Sequence, residues 1–210
     1  MQVWGSTVIQ FQPHQYTQEG NVQMPELGLL SGWIRHFAAL TPYFHGIMEF
    51  CAQDLLFLAV LILLPLWLRP NGLKPLAAVV IGAAIGIVVS KTIGHVWYEQ
   101  RPFVAYHFAP LVPHTADASF PSDHLIAFGV MTVCAWYGWK RLGIALAAVG
   151  VVVAFARVYI GVHYVGDVVG GALIGMCCGG IALWLTGLPQ GARFIAWCDS
   201  LLHKWELRRT

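Results

Sequence analysis

Charge is what this chain has least of. Of its 210 residues, 10% are Asp, Glu, Lys or Arg, against roughly 25% in a typical soluble domain. Hydrophobic residues make up 58%, and the mean hydropathy is +0.65. That balance excludes an ordinary soluble domain and implies an integral membrane protein. A formal net charge of +2 provides no basic surface for nucleic acid. The first 34 residues hold no Lys or Arg. They are therefore not expected to be a secretory signal peptide, which begins with basic residues. The five cysteines, at positions 51, 134, 177, 178 and 198, lack metal-ligand spacing. Lying mostly in apolar runs, they read as small hydrophobes rather than disulfide partners.

Long apolar runs are present instead. A helix needs about 20 apolar residues to cross a bilayer. Runs at 51–68, 75–97, 142–160 and 165–187 meet that need, and 122–139 is a shorter fifth run, more polar at its start. Segment 26–48 is amphipathic and interrupted by Pro42; it reads as an interfacial helix rather than a span. Residues 190–208 place Phe194, Ile195, Trp197, Leu201, Leu202 and Trp205 among basic residues, as in a segment lying on a membrane surface. The expected fold is all-α: a polytopic membrane helical bundle of five transmembrane helices, or six if 26–48 crosses, with amphipathic N-terminal and C-terminal segments. Residues 1–25 form a polar N-terminal extension. Residues 26–210 form a single membrane-embedded domain whose motif core is 75–187.

Lys and Arg set the orientation. With alternating spans, one side receives Arg69, Lys74, Lys140, Arg141, Arg193, Lys204, Arg208 and Arg209, and the other Arg35, Lys91, Arg101 and Arg157. The richer side is expected to be cytoplasmic and to hold the C-terminus. Small residues recur every four positions at Gly82, Gly86, Ser90 and Gly94, and again at Gly171, Gly175 and Gly179. This spacing suits close helix packing and carries no chemistry.

The polar residues gather at the outer ends of the spans. Lys91, His95, Glu99 and Arg101 end one span; Ser122, Asp123 and His124 begin the next; Arg157 ends another; His163 and Asp167 begin the last. Arginines offer planar donors suited to phosphate oxygens, and outward helix N-termini favour an anion. Pro121-Ser122 is good helix-start chemistry. Two histidines supply a nucleophile and an acid. Asp167, four residues after His163, is placed to orient its imidazole. Taken singly, each residue also admits a bland reading: a snorkelling arginine, an interfacial histidine, a structural His–Asp pair. His124, His163, Asp123 and Asp167 are also potential metal ligands, which two nearby arginines oppose. Glu99, Asp117, Tyr106, His107 and His114 either shape the entrance or are plain loop residues.

Three blocks give the chain a family resemblance. They are Arg101-Pro102, then Pro121-Ser122-Asp123-His124, then ARVYIGVHYVGD with Arg157, His163 and Asp167 in register. In order and placement they resemble the type-2 phosphatidic acid phosphatases, membrane lipid phosphatases related to vanadium haloperoxidases. The stretch RPFVAYHFAPLVPHTADASFPSDH resembles the bacitracin-resistance branch, the undecaprenyl-pyrophosphate phosphatases. The resemblance implies His163 as nucleophile, Asp167 as its orienting partner and His124 as acid and then base. Arg101, Arg157 and Ser122 would hold the phosphoryl oxygens, with no metal and no cofactor. It implies a polyprenyl diphosphate substrate in a bacterial plasma membrane, with the site facing outward.

Three positions depart from that pattern. The family's Lys seven residues before the block-one Arg is Gly94 here, and Lys91 stands ten before. Asp123 replaces Gly, and Ala156 replaces Ser. Lys91 and Asp123 are carried as phosphate-binding candidates. Two other functions remain open at this stage. One is a phosphatase of the same fold acting on phosphatidic acid, phosphatidylglycerophosphate or a lipid A phosphate. The other is an anion channel or transporter, against which the inner halves of the spans are almost bare of charge.

Overall fold

The computed structural model describes residues 29–69 and 72–206. The expected polar extension over 1–25 lies outside them. Nine α-helices run through the described residues, and no strand is among them. They are α1 (Leu29–Leu40), α2 (His45–Gln53), α3 (Leu55–Leu63), α4 (Leu73–Val96), α5 (Pro102–Ala105), α6 (Asp123–Gly138), α7 (Lys140–Tyr159), α8 (Val165–Gly187) and α9 (Pro189–Glu206). Helices α4, α7 and α8 are each long and apolar enough to cross a membrane, and a bent pair, Pro42–Gln53 with Leu55–Leu66, makes a fourth candidate span. At 16 residues, α6 is shorter than a usual crossing.

The N-terminal third differs from expectation in one respect. The segment 26–48 is two pieces, not one. Helix α1 ends at Leu40, and Pro42 opens a 3-10 turn leading into α2. Proline lacks the N–H that would continue a helix, yet its fixed φ suits a first turn. Helix α2 therefore joins the first candidate span, which bends by 44° where it meets α3. Helix α1, with 12 described residues, lies over the end of α7. Arg35 Nη1 donates to the Tyr159 carbonyl at 2.7 Å, and the Tyr159 hydroxyl donates to the Thr41 carbonyl at 2.8 Å.

Helix α6 is the centre of the bundle, packed by α4, α7 and α8. Leu125, Phe128, Val130, Met131, Cys134 and Ala135 along it are all buried. The outer helices keep their apolar faces outward: Val80, Ile87 and Val88 on α4, Val151 on α7, Leu173 and Trp184 on α8 are exposed. An apolar exterior suits a bilayer as solvent. The glycine stripes face α6. A Cβ at Gly86 would sit 2.6 Å from an Ile126 methyl, and one at Gly175 would overlap the Ile126 carbonyl oxygen.

The α6–α8 contact is thus backbone against backbone. Gly175→Ala is expected to lower stability by about 1–3 kcal/mol, the usual penalty of overpacking. Thermal unfolding in detergent measures it. Gly180→Ala is the control, because no atom lies within 4 Å of its Cβ.

Candidate active site

The close α4–α6–α8 packing brings four helix ends together beneath the 97–122 loop. Arg101 caps α5 in extended conformation, with Pro102 at the first helical position. An isolated antiparallel bridge between Gln100 and Ala118 closes the loop beside it. Arg157 lies in the last turn of α7, where the helix dipole favours a cation. The chain then turns at Gly161, whose φ of +86° suits a residue without Cβ, and delivers His163 before α8 begins. Asp167 stands in the first turn of α8 and accepts from the Tyr164 N–H at 2.8 Å.

His163 is buried and held on both ring nitrogens. Its Nδ1 lies 3.0 Å from the Ser119 carbonyl oxygen and 3.3 Å from Asp167 Oδ2. Its Nε2 lies 3.2 Å from Arg101 Nη1 and 3.2 Å from Arg157 Nη2. Guanidinium only donates. Nε2 must then accept, and Nδ1 carries the proton. Hydrogen-bond logic alone fixes a neutral imidazole whose free lone pair points between two arginines. Ser119 Oγ donates to Asp167 Oδ2 at 2.5 Å, fixing the carboxylate that faces Nδ1.

The arginines are in turn anchored. Arg101 Nε donates to Asp117 Oδ1 at 2.7 Å, and its Nη1 to the Val162 carbonyl at 3.1 Å. Arg157 Nη1 reaches the Ala52 carbonyl at 3.5 Å, beside the bend of the first span, and Nη2 contacts His114 Nε2 at 3.1 Å. Ser122, the N-cap of α6, is fully buried, and its N–H donates to the Asp167 carbonyl at 3.2 Å. Among the described residues, Ser122 Oγ and Arg157 Nε are buried without a hydrogen-bond partner.

Two guanidinium groups, a buried serine and a His–Asp pair thus share one small volume. Residues 72–189 match the PAP2 superfamily. The chain belongs to that superfamily. It is 34% identical over 136 residues to undecaprenyl-diphosphatase BcrC of Bacillus subtilis, covering 64% of this chain and 70% of that one. It is 37% identical over 154 residues to the putative undecaprenyl-diphosphatase YbjG of Escherichia coli, covering 68% and 75%. Among solved structures it is similar to the first transmembrane PAP2-type phosphatidylglycerolphosphate phosphatase from Bacillus subtilis, with a TM-score of 0.56, 26% identity, and 73% and 82% of the two chains covered. A multi-pass membrane protein of the PAP2 type follows.

Three of the expected residues of this PAP2 chain stand apart from the arginine pair. His124, in the first turn of α6, is near enough to Arg157 and His163 to interact electrostatically but makes no direct hydrogen bond to them. Lys91 and Asp123 pair with each other at 3.4 Å, and Ser90 Oγ donates to the other Asp123 oxygen. They line a cavity of about 240 Å³ with His95, Tyr98, Asp117 and Phe120. The Asp123 carboxylate is thus balanced by a cation and a hydroxyl. Asp123 and Asp167 face different partners. Among the described residues no three His, Cys, Asp or Glu side chains converge as metal ligands.

Sequence reasoning missed Ser119 entirely and left Asp117 and His114 as loop residues. The only available signal was position: Ser119 lies three residues before Ser122, just ahead of the second block. Electrostatics follow the geometry. Burial pushes the His163 imidazole below its ordinary value; Arg157 and Arg101 add to this, against the hydrogen bond to Asp167. Burial raises the Asp117 carboxyl, but its hydrogen bond to Arg101 and that charge outweigh it and bring it below the ordinary range. Glu99 moves up, through burial and the Asp167 charge.

Proposed function

We propose that this chain is an undecaprenyl-diphosphatase: it hydrolyses a polyprenyl diphosphate to the monophosphate and inorganic phosphate. The carrying observation is His163 Nε2, an unprotonated lone pair aimed between Arg101 and Arg157. The terminal phosphate binds in the two guanidinium forks, with Ser122 Oγ and Arg157 Nε supplying donors that have no other partner. Nε2 attacks phosphorus, and the bond to the bridging oxygen breaks. The electron pair of that bond leaves on the lipid phosphate, which takes a proton from His124. Asp167 and the Ser119 carbonyl hold the Nδ1 proton and balance the phosphohistidine charge. Neutral His124 then takes a proton from water, whose oxygen attacks the phosphohistidine. Phosphate leaves, and His163 is restored. The arginines stabilise the transferring group throughout, as preorganised donors do.

Two relatives named undecaprenyl-diphosphatases support the substrate. The Lys and Arg distribution supports a site on the extracytoplasmic face of a bacterial plasma membrane, with the C-terminus in the cytoplasm. The released monophosphate would return to service as the carrier lipid of cell-wall synthesis.

The test is phosphate release by the purified protein in detergent, from undecaprenyl diphosphate, phosphatidic acid and phosphatidylglycerophosphate, with EDTA present. Release from the diphosphate at an undiminished rate in EDTA is the expected result. No release from any polyprenyl diphosphate removes this reading. Faster release from phosphatidylglycerophosphate would assign the chain to the other substrate branch.

A further inference from the structure

The loop over the site carries a second imidazole–carboxylate pair. His114 Nδ1 lies 3.2 Å from the Thr115 carbonyl oxygen and 4.0 Å from Asp117 Oδ1. Its Nε2 faces Arg157 Nη2 at 3.1 Å. The donor-only rule for guanidinium applies again: His114 is neutral, protonated on Nδ1, and accepts on Nε2. That is the tautomer of His163, whose Nε2 lies 3.2 Å from the same Nη2. The two rings stand edge to face with centroids 6.4 Å apart. Their Nε2 atoms are no further apart than two hydrogen bonds laid end to end. One guanidinium nitrogen is shared by two imidazoles, and only one of them lies in a family block.

The two differ in depth. The His163 side chain is 2% exposed, and that of His114 is 21%. A phosphate seated against His163 with its second substituent directed toward the more exposed end of the site would bring that substituent to His114.

We propose that His114 is a specificity residue that recognises the second, lipid-side phosphate of a diphosphate by donating a hydrogen bond from Nε2. This rests on the diphosphate reading above. When the terminal phosphate takes Arg157 Nη2, His114 loses its donor. A neutral Nε2 lone pair facing a phosphate oxygen is repelled, so the ring takes up a proton from solvent and becomes a donor. Arg101, Arg157, Asp117, His124 and His163 are the charged and titratable groups around it. In the free site, burial and the two arginines hold its affinity for that proton down, against the Thr115 carbonyl and Asp117. Bound phosphate neutralises the arginines, and Asp117 then favours the imidazolium. A monophosphate fills the deep position and leaves His114 nothing to contact.

The experiment compares inorganic pyrophosphate with orthophosphate as competitive inhibitors of the full chain in detergent. The variants are His114→Ala and His114→Phe, the latter keeping a ring against Phe103 and His163. Losing one hydrogen bond to a charged group is expected to weaken pyrophosphate about tenfold or more, with orthophosphate within about twofold. KM for a polyprenyl diphosphate should rise more than kcat falls. Parallel weakening of both anions in both variants would mean a structural role and overturn the inference, as would an unchanged ratio. If the wild-type chain hydrolyses only monophosphates, the substrate reading fails on its own. The two inhibition constants still decide the role of His114.

Discussion

His163→Ala is expected to lower phosphate release by about 10⁴-fold or more, in line with removal of a catalytic nucleophile elsewhere. The reason is geometric. Among the described residues, His163 Nε2 is the side-chain acceptor placed 3.2 Å from both guanidinium groups. Asp167 is committed to Ser119, Tyr164 and the His163 ring. The other imidazole on Arg157, His114, lies at the more exposed side. His163→Asn controls for the hole left by truncation, and should be equally inactive while unfolding at a similar temperature. With substrate labelled on its terminal phosphate, the wild type should carry acid-labile label during turnover and both variants none. Retention of more than about a hundredth of wild-type turnover assigns the nucleophile elsewhere. A pH consequence has a definite sign. Burial and the arginines lower the His163 pKa, so the free site keeps its lone pair below the ordinary imidazole value of about 6.5. The His163 limb of kcat/KM, which reports the free enzyme, is expected on the acid side of that value. Because the same group binds its proton more weakly folded than unfolded, its contribution to stability is present above about 6.5. That contribution is lost as pH falls toward the folded value.

What could be read in advance follows from how locally it is encoded. Helix α8 begins and ends where its apolar run does, and α4, α6, α7 and α9 fall within two residues of theirs. A long apolar segment between polar turns has one stable answer in a bilayer. The His163–Asp167 relation was legible because a carboxylate in the first turn of a helix must face the residues just before it. The bend between α2 and α3 was not legible. Apolar composition reports that a segment suits lipid and says nothing of its axis, so the run 51–68 carries no mark of the bend. Ser119, Asp117 and His114 were hidden for another reason. They belong to a loop without periodicity, and their partners, Asp167, Arg101 and Arg157, lie 48, 16 and 43 residues away. The Lys91–Asp123 pair falls between these cases. A carboxylate at a helix end needs a balancing partner, but only the packing of α4 on α6 selects the lysine.

Arg157→Lys is expected to lower kcat by about 10²–10³-fold, the effect of removing a preorganised donor from a developing oxyanion. The charge is kept, so a pure charge effect predicts little change. The fork is lost. Arg157 uses Nη2 toward two imidazoles, Nη1 toward the Ala52 carbonyl, and has Nε buried and unpartnered. An ammonium is one point with three rotatable donors and cannot span those positions at once. Nη1 ties the guanidinium to the bent first span, so its plane is set before substrate arrives, and that preorganisation is what lysine gives up. On the proposed mechanism KM should move less than kcat, because the lost contacts strengthen as charge builds on the transferring phosphoryl group. Arg101 still supplies a cation for ground-state binding, with its own plane fixed by Asp117 and the Val162 carbonyl. Thermal unfolding of the variant separates this from a folding defect, since Arg157 is only 4% exposed. Turnover within tenfold of wild type, in a variant as stable as wild type, would show that charge alone suffices at this position. The shared guanidinium would then have no special part in the chemistry.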